Sequence, residues 1–151
     1  MATTISGIEE LKSKVGEHLG YSEWLEVTQD RVNKFADATD DHQWIHVDPE
    51  RAKAGPFGGP IAHGYLTLSL AVPLLGQVLH VDGVRMGINY GLNKVRFPSP
   101  VPVPSRIRLG ATLKSVDDVE GGAQSAFELT FEVEGKEKPS CVAEAIYRWY
   151  V

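Results

Sequence analysis

The chain has 151 residues, of which 42% are apolar and 23% charged, a composition that fits a single globular domain with one core. Its formal net charge of −5 excludes a general nucleic-acid binder, because phosphate contacts need a basic surface that this sequence lacks. The longest apolar run is too short to span a bilayer and no signal-peptide pattern is recognised, so a cytoplasmic protein with no membrane partner is expected.

The N-terminal third is predicted to contain three helices and one strand. Apolar residues at helical spacing predict a helix over residues 8–19, which a glycine ends. A short strand follows at 24–27. Thr28 is a suitable cap for a second helix that ends before Thr39, and an Asp-Pro-Glu start signal predicts a third helix over residues 48–55.

The rest of the chain is predicted to be one buried helix followed by long strands. The segment from Ala62, AHGYLTLSLAVPLLGQVLH, is apolar nearly all round, which predicts one long central helix, and Pro73 is expected to kink it or break its hydrogen-bond ladder. Beyond Val84, apolar and polar residues alternate, with interruptions at the proline-rich PSPVPVPS and at an EGG hairpin turn, residues 120–122. These elements predict an α+β fold in which an antiparallel sheet wraps the helix, in a single domain over residues 1–151.

The segment DDHQWIHVDP, residues 40–49, concentrates carboxylates and histidines, and three interpretations are open. A metal site would use His42 and His46 at the spacing of H-E-x-x-H, but the glutamate of that motif is absent and β-branched neighbours disfavour a helix. A plain surface turn is opposed by large apolar neighbours such as Trp44, which draw the polar groups toward the interior, where they must be hydrogen-bonded. An acid–base site would place Asp41 and His46 around one water, from which one group takes a proton while the other delivers one.

The longer segment FADATDDHQWIHVDPERA, which begins at Phe35, resembles the signature of the (R)-specific enoyl-CoA hydratases of the MaoC-like, hot-dog fold superfamily. That signature runs aromatic–x–x–x–Ser/Thr–Gly–Asp–x–Asn–Pro–apolar–His. Asp41 falls on its catalytic Asp and His46 on its catalytic His, with the same separation. Two further segments, GPFGGPIAHGYLTLSL and NYGLNKVRFPSPV, resemble the family's loop and central-helix start and its characteristic strand, so the resemblance extends from Phe35 to at least Val103.

Three positions depart from the family's usual pattern. The usual glycine before the acid is Asp40, the usual Asn-Pro is Gln43-Trp44, and the Gly-Asp that often follows the proline loop is Pro104-Ser105. The Gln-Trp version marks a subfamily that includes hydratase-like and nodulation-protein-like members. Asp40 leaves two consequences open, which are repulsion between adjacent carboxylates or the loss of a glycine's backbone freedom.

The resemblance implies reversible (R)-specific hydration of a trans-2-enoyl thioester, usually on coenzyme A, to the (R)-3-hydroxyacyl product, with Asp41 and His46 sharing one water. The backbone N–H of Gly64 is expected to stabilise the thioester oxygen, because the first N–H groups of a helix lack intrahelical partners. Four side chains are expected to contact the substrate, the last of them at its phosphates: Gln43, His63, Tyr65 and Arg96. A helix cap or a packing role also stays open for His63. No metal or cofactor is implied, apart from coenzyme A as part of the substrate.

Two other functions remain open. Hot-dog acyl-CoA thioesterases often carry a carboxylate on or near the central helix, and residues 62–81 contain no Asp or Glu, which disfavours that activity. A non-catalytic acyl-binding subunit of a dehydratase complex is disfavoured by the presence of both Asp41 and His46. The resemblance also implies a homodimer with paired sheets, since exposed sheet edges need to be covered.

Overall fold

A long antiparallel sheet wraps two short consecutive helices in the computed structural model, which describes residues 2–151. The elements in chain order are β1 (Thr3–Ile5), α1 (Gly7–Ser13), β2 (His18–Tyr21), β3 (Leu25–Val27), α2 (Gln29–Thr39), α3 (Trp44–Val47), α4 (Pro49–Lys53), α5 (Gly64–Ser69), α6 (Ala71–Val78), β4 (Leu79–Val81), β5 (Met86–Arg96), β6 (Ser105–Val119), β7 (Gly122–Val133) and β8 (Cys141–Tyr150). This is the α+β hot-dog arrangement that the sequence predicts.

The sheet is built from four long strands in the order β6-β7-β8-β5, and β2 and β3 both pair with β6. β6 and β7 meet at the predicted hairpin turn. Their inward side chains alternate with outward polar ones, as a half-buried strand requires. The largest of these inward side chains are fully buried: Ile107, Leu109, Leu113, Phe127, Leu129 and Phe131. No helix within residues 2–151 is long and apolar enough to cross a membrane.

The central helix is divided into two consecutive helices, which agrees with the expectation that Pro73 kinks it or breaks its hydrogen-bond ladder. α5 ends at Ser69 and α6 begins at Ala71, with Leu70 between them. Pro73 has no N–H to donate to the Ser69 carbonyl and its ring crowds that carbonyl, so the helical ladder is interrupted one turn before the proline. α6 ends at Val78, and the next three residues form β4, which pairs in parallel with β1 in a separate two-stranded sheet that the sequence does not predict.

The first helix is also shorter than its apolar spacing predicts. α1 ends at Ser13, and Gly16 takes a positive φ of 92° that a glycine adopts without strain. The Gly16 N–H donates to the Leu113 carbonyl at 2.8 Å, and the chain then runs along β6 as β2. Sheet pairing therefore overrides the helical periodicity of the following apolar residues.

The helix-start signals before α2 and α4 are confirmed. The Thr28 hydroxyl accepts the Arg31 N–H at 3.1 Å, and the Asp48 carboxylate accepts the Arg51 N–H at 3.2 Å. Pro49 occupies the first turn of α4, where its missing N–H costs nothing. These two caps anchor the ends of the helices on either side of the DDHQWIHV segment.

Gly122 begins β7 at a point where no side chain fits. A Cβ at this position would lie 1.8 Å from the Trp149 carbonyl oxygen, so an alanine must displace the backbone of β7 or β8. We predict that Gly122→Ala lowers the free energy of unfolding by about 3 kcal/mol, at the upper end of overpacking costs, in a denaturant titration. Gly59→Ala is the matched control, because a Cβ there meets nothing within 4 Å. Equal losses in the two variants would contradict the prediction.

Candidate active site

A left-handed residue, Asp40, turns the chain out of α2 and into the segment that carries the candidate catalytic groups. Its φ of 62° and ψ of 20° lie in the region that glycine favours and that aspartate tolerates better than most residues. Of the two consequences open for Asp40, the structure therefore shows the one that concerns the backbone. An aspartate adopts here the conformation for which glycine is the usual choice.

His46 lies almost fully buried in α3, a four-residue helix that the β-branched neighbours did not lead us to expect. Its Nδ1 is 2.7 Å from the Ile61 carbonyl oxygen, which accepts only if Nδ1 carries the proton. The other ring nitrogen, Nε2, is then left with its lone pair. Its backbone is fixed as well, because the His46 carbonyl accepts from Gln29 Nε2 at 2.8 Å. His46 is thus held in the tautomer that can take up a proton at Nε2.

His63 precedes the first residue of α5 and is 2% exposed. Its ring stacks on that of His46, with centroids 3.9 Å apart and planes at 23°, and also contacts the Phe35 ring. Its Nε2–H donates to the Asp41 carbonyl oxygen at 3.0 Å, whereas Nδ1 is buried without a partner among residues 2–151. An unpaired buried acceptor costs about 1–3 kcal/mol. Burial lowers the pKa of His63 below its usual value, which favours the neutral imidazole.

Gly64 begins α5 beside a cavity of about 320 Å³. Its N–H is one of the first-turn groups that have no intrahelical carbonyl to bond. A Cβ at this position would lie 3.2 Å from the Phe97 ring, so the absence of a side chain lets Phe97 pack directly on the start of α5. Ile61 also lines the cavity, and the Ile61 carbonyl holds His46, so one residue joins the cavity to the histidine.

The other residues expected at the substrate lie farther out. Gln43 is exposed and precedes the first residue of α3, where its backbone carbonyl accepts the His46 N–H at 3.0 Å. Tyr65 is 71% exposed and faces the Phe97 ring edge-on. Arg96 is exposed at the end of β5, and its guanidinium donates to the neighbouring main chain. Within residues 2–151, the structure records no hydrogen bond from the side chains of Gln43, Tyr65 or Arg96 to the histidines.

In the folded chain, the residues that could hold a metal are not the pair that the sequence suggested. His42 does not approach His46; it pairs with Asp37 at 2.9 Å, which raises the pKa of His42. The group that does converge is Asp41, His46 and His63, which offer ligand atoms within 4.8 Å of one another. The two stacked imidazoles keep their lone pairs in nearly parallel planes, with ring centroids 3.9 Å apart, whereas the ligands of a tetrahedral metal must converge on one point. The geometry therefore suits proton transfer better than metal ligation.

The convergence of Asp41 and His46 with His63, the residue before α5, places a carboxylate and an imidazole near the start of the central helices of a hot-dog domain. This combination indicates an enzyme of the hydratase and dehydratase class. The chain belongs to the family described as MaoC like domain, whose model matches residues 10–135.

Relatives of known name support this membership. 3-Hydroxyacyl-thioester dehydratase Z of Mycobacterium tuberculosis is 55% identical over 147 residues, covering 97% of this chain and 97% of its own. Nodulation protein N of Rhizobium leguminosarum bv. viciae is 43% identical over 143 residues, covering 92% and 88%. Among solved structures, the (R)-hydratase from A. caviae involved in PHA biosynthesis has a TM-score of 0.72 at 26% identity, covering 88% of this chain and 94% of its own.

The left-handed turn at Asp40 can be tested on stability alone. We predict that Asp40→Gly leaves the free energy of unfolding within about 1 kcal/mol of wild type, because glycine adopts this φ without strain. Asp40→Val should lower it by about 1–2 kcal/mol, because a β-branched residue is a poor fit for a left-handed position. Denaturant titrations of the three proteins measure the difference, and identical stabilities of the two variants would show that the backbone conformation is not the constraint.

Proposed function

We propose that the protein is a cytoplasmic enzyme that catalyses the reversible (R)-specific hydration of a trans-2-enoyl thioester to the (R)-3-hydroxyacyl thioester. The observation that carries this proposal is the approach of the Asp41 carboxylate and the His46 imidazole, which offer polar atoms within 4.8 Å of each other. This spacing suits two groups that bind one water between them. The names of the dehydratase and hydratase relatives support the same reaction class.

His46 acts as the base in the proposed reaction, because the Ile61 carbonyl holds the imidazole proton on Nδ1. Nε2 takes a proton from the shared water as the water oxygen bonds to C3 of the enoyl group. The same proton is then delivered to C2, so His46 ends the cycle neutral and the product carries the added H and OH. Asp41 accepts the second O–H of the water and orients it. No metal enters this sequence of steps.

Gly64 supplies the remaining requirement of the proposed reaction, which is stabilisation of the thioester oxygen. As C3 is attacked, negative charge develops on the thioester oxygen, and a backbone N–H aimed at that oxygen stabilises the enolate. The first N–H of α5 is available for this task, and the cavity beside Gly64 gives the thioester access to it. Phe97 packs on Gly64 and also lines this cavity, so residues from two different elements form this part of its wall.

The water-sharing pair is tested by isosteric replacement. We predict that His46→Gln lowers kcat for hydration of crotonyl-CoA by about 10²–10⁴-fold, the range for loss of a general base. Asp41→Asn should lower kcat by at least about 10²-fold, because the water is then misplaced, and both variants should remain folded. Loss of enoyl absorbance measures the rate, and chiral analysis identifies the (R)-3-hydroxybutyryl product. Near-normal turnover in either variant would refute the shared-water assignment.

Two controls accompany these variants. Asp40→Gly should retain substantial activity, and a collapse to the level of Asp41→Asn would show that the wrong aspartate is assigned. Preincubation with EDTA should leave the wild-type rate unchanged, because the proposed steps use no metal. Release of free thiol from the substrate would indicate a thioesterase instead, and binding of crotonyl-CoA without turnover would indicate a non-catalytic acyl-binding subunit.

The proposed assembly is a homodimer that covers the edge strand β5. Among residues 2–151, this strand pairs only with β8, and an exposed apolar edge is a site for association. Four of its apolar side chains are between 40% and 57% exposed: Met86, Ile88, Tyr90 and Leu92. An apolar cavity of about 310 Å³ between α6 and the start of β5 continues the same open side. Pairing of β5 with β5 of a second copy would cover this side of both molecules.

Introducing a charge on β5 tests whether this strand, rather than another exposed apolar position, forms the interface. We predict that Ile88→Asp converts the dimer to a monomer in size-exclusion chromatography with light scattering, because pairing would bury the new carboxylate without a partner. Val15→Asp is the matched control, since Val15 is similarly exposed (44% against 40%) but lies outside β5. An active, stable monomer of the wild-type protein would refute the homodimer.

A further inference from the structure

His63 contacts or adjoins each of the three residues on which the proposed reaction depends. Its ring stacks on His46 with centroids 3.9 Å apart, and its Nε2–H donates to the Asp41 carbonyl oxygen at 3.0 Å across 22 residues of sequence. Its own carbonyl accepts N–H groups from the first turn of α5, so it is also the immediate neighbour of Gly64. One buried side chain therefore joins the Asp41 loop, the His46 ring and the start of the central helix.

The hydrogen bonding of the His63 ring suits a role in positioning its neighbours better than a role in proton transfer. Its Nδ1 is buried and has no partner among the described residues, so that lone pair reaches neither solvent nor another polar group. A phenyl ring of similar size would fill the same space without burying a bare acceptor. What the imidazole adds over a phenyl ring is its Nε2–H, and the acceptor of that proton is the Asp41 carbonyl.

We propose that His63 is a positioning residue of the active site, which as a neutral imidazole fixes the Asp41 backbone and the plane of the His46 ring without touching the substrate. This role differs from the substrate contact that the sequence suggested. It rests on the proposed function, in which Asp41 and His46 share the reacting water. Small displacements of such groups are costly, because proton transfer needs both of them within hydrogen-bond reach of one water.

The surroundings of His63 favour the neutral form. The titratable groups that face it are His46, Asp41 and, in the same loop as Asp41, His42, while Phe35 contributes an apolar ring. Burial lowers the pKa of His63 most, and the charge that His46 can carry lowers it further, against a smaller raising effect of the Asp41 carbonyl. Protonation would place an N–H at Nδ1 in a buried position that offers no acceptor.

Two variants separate the hydrogen bond of His63 from its bulk. His63→Phe keeps the ring and loses the donor, whereas His63→Gln loses the ring but carries an amide that can reach the Asp41 carbonyl. We expect His63→Phe to lower kcat for crotonyl-CoA by about 10- to 100-fold with KM changed less than about twofold, because the catalytic pair is displaced. His63→Gln should recover part of the lost kcat. The control His18→Phe changes an exposed histidine on β2 and should match wild type.

Hydrogen exchange tests the hydrogen bond between His63 and the Asp41 carbonyl without any assay of activity. Loss of the His63 donor should raise amide exchange in a peptide covering residues 40–48 in His63→Phe, and less so in His63→Gln, with no change in His18→Phe. An unchanged exchange rate in His63→Phe would overturn the positioning role, as would a raised KM at constant kcat. If exchange rises in His63→Phe as expected but the wild-type protein does not hydrate enoyl thioesters, the proposed function fails while the hydrogen bond from His63 to the Asp41 carbonyl still fixes that segment.

The neutral state of His63 is tested by the pH dependence of stability. A histidine whose pKa is lower in the folded than in the unfolded chain binds fewer protons when folded, so stability is lost as pH falls below the ordinary value of 6.5. The free energy of unfolding of wild type should therefore fall more steeply between pH 7 and pH 5 than that of His63→Phe. Parallel curves for the two proteins would contradict a neutral, buried His63.

Discussion

Burial of the two central helices against the long strands is the constraint on which the site depends. Leu66 of α5 and Leu74 and Leu75 of α6 pack into the core, and each buried leucine stabilises the fold by about 1.5–3 kcal/mol. This packing fixes where α5 begins, and with it the preceding segment 60–63. Backbone bonds of 2.9 Å and 3.0 Å tie that segment to residues 101–103. The packing of the core therefore determines the position of the candidate site through one short stretch of main chain.

Two main-chain carbonyls, one of them in this stretch, set the proton positions of both histidines. The Ile61 carbonyl holds the proton of His46 on Nδ1, and the Asp41 carbonyl holds that of His63 on Nε2. Neither ring needs a carboxylate to orient it, so the Asp41 carboxylate is left with one long contact of 3.4 Å from the Gln43 N–H. A carboxylate that is not engaged in an ion pair remains available to a water molecule. Main-chain carbonyls thus hold both rings, and among residues 2–151 the Asp41 carboxylate forms no ion pair, as its role in the proposed reaction requires.

The open sheet edge and the cavity belong to one region of the molecule. β5 ends at Arg96, and the next residue, Phe97, packs on Gly64 and faces Tyr65. A second copy that pairs with β5 would lie close to this cavity wall. In the proposed homodimer, the interface and the cavity would therefore meet at Phe97, because Phe97 follows β5 and packs on the start of α5.

The sequence by itself determined the features that rest on local signals. The caps at Thr28 and Asp48, the hairpin turn and the alternation in the strands follow from neighbours within a few residues, and so does the spacing of Asp41 and His46. Only the tertiary structure decided the β1–β4 pair and the early end of α1, because packing and sheet pairing override local preference there. The same holds for His63. Its bond to Asp41 spans 22 residues and its stack on His46 spans two elements, and no periodicity in the chain encodes a contact between segments that meet only after the helices are buried.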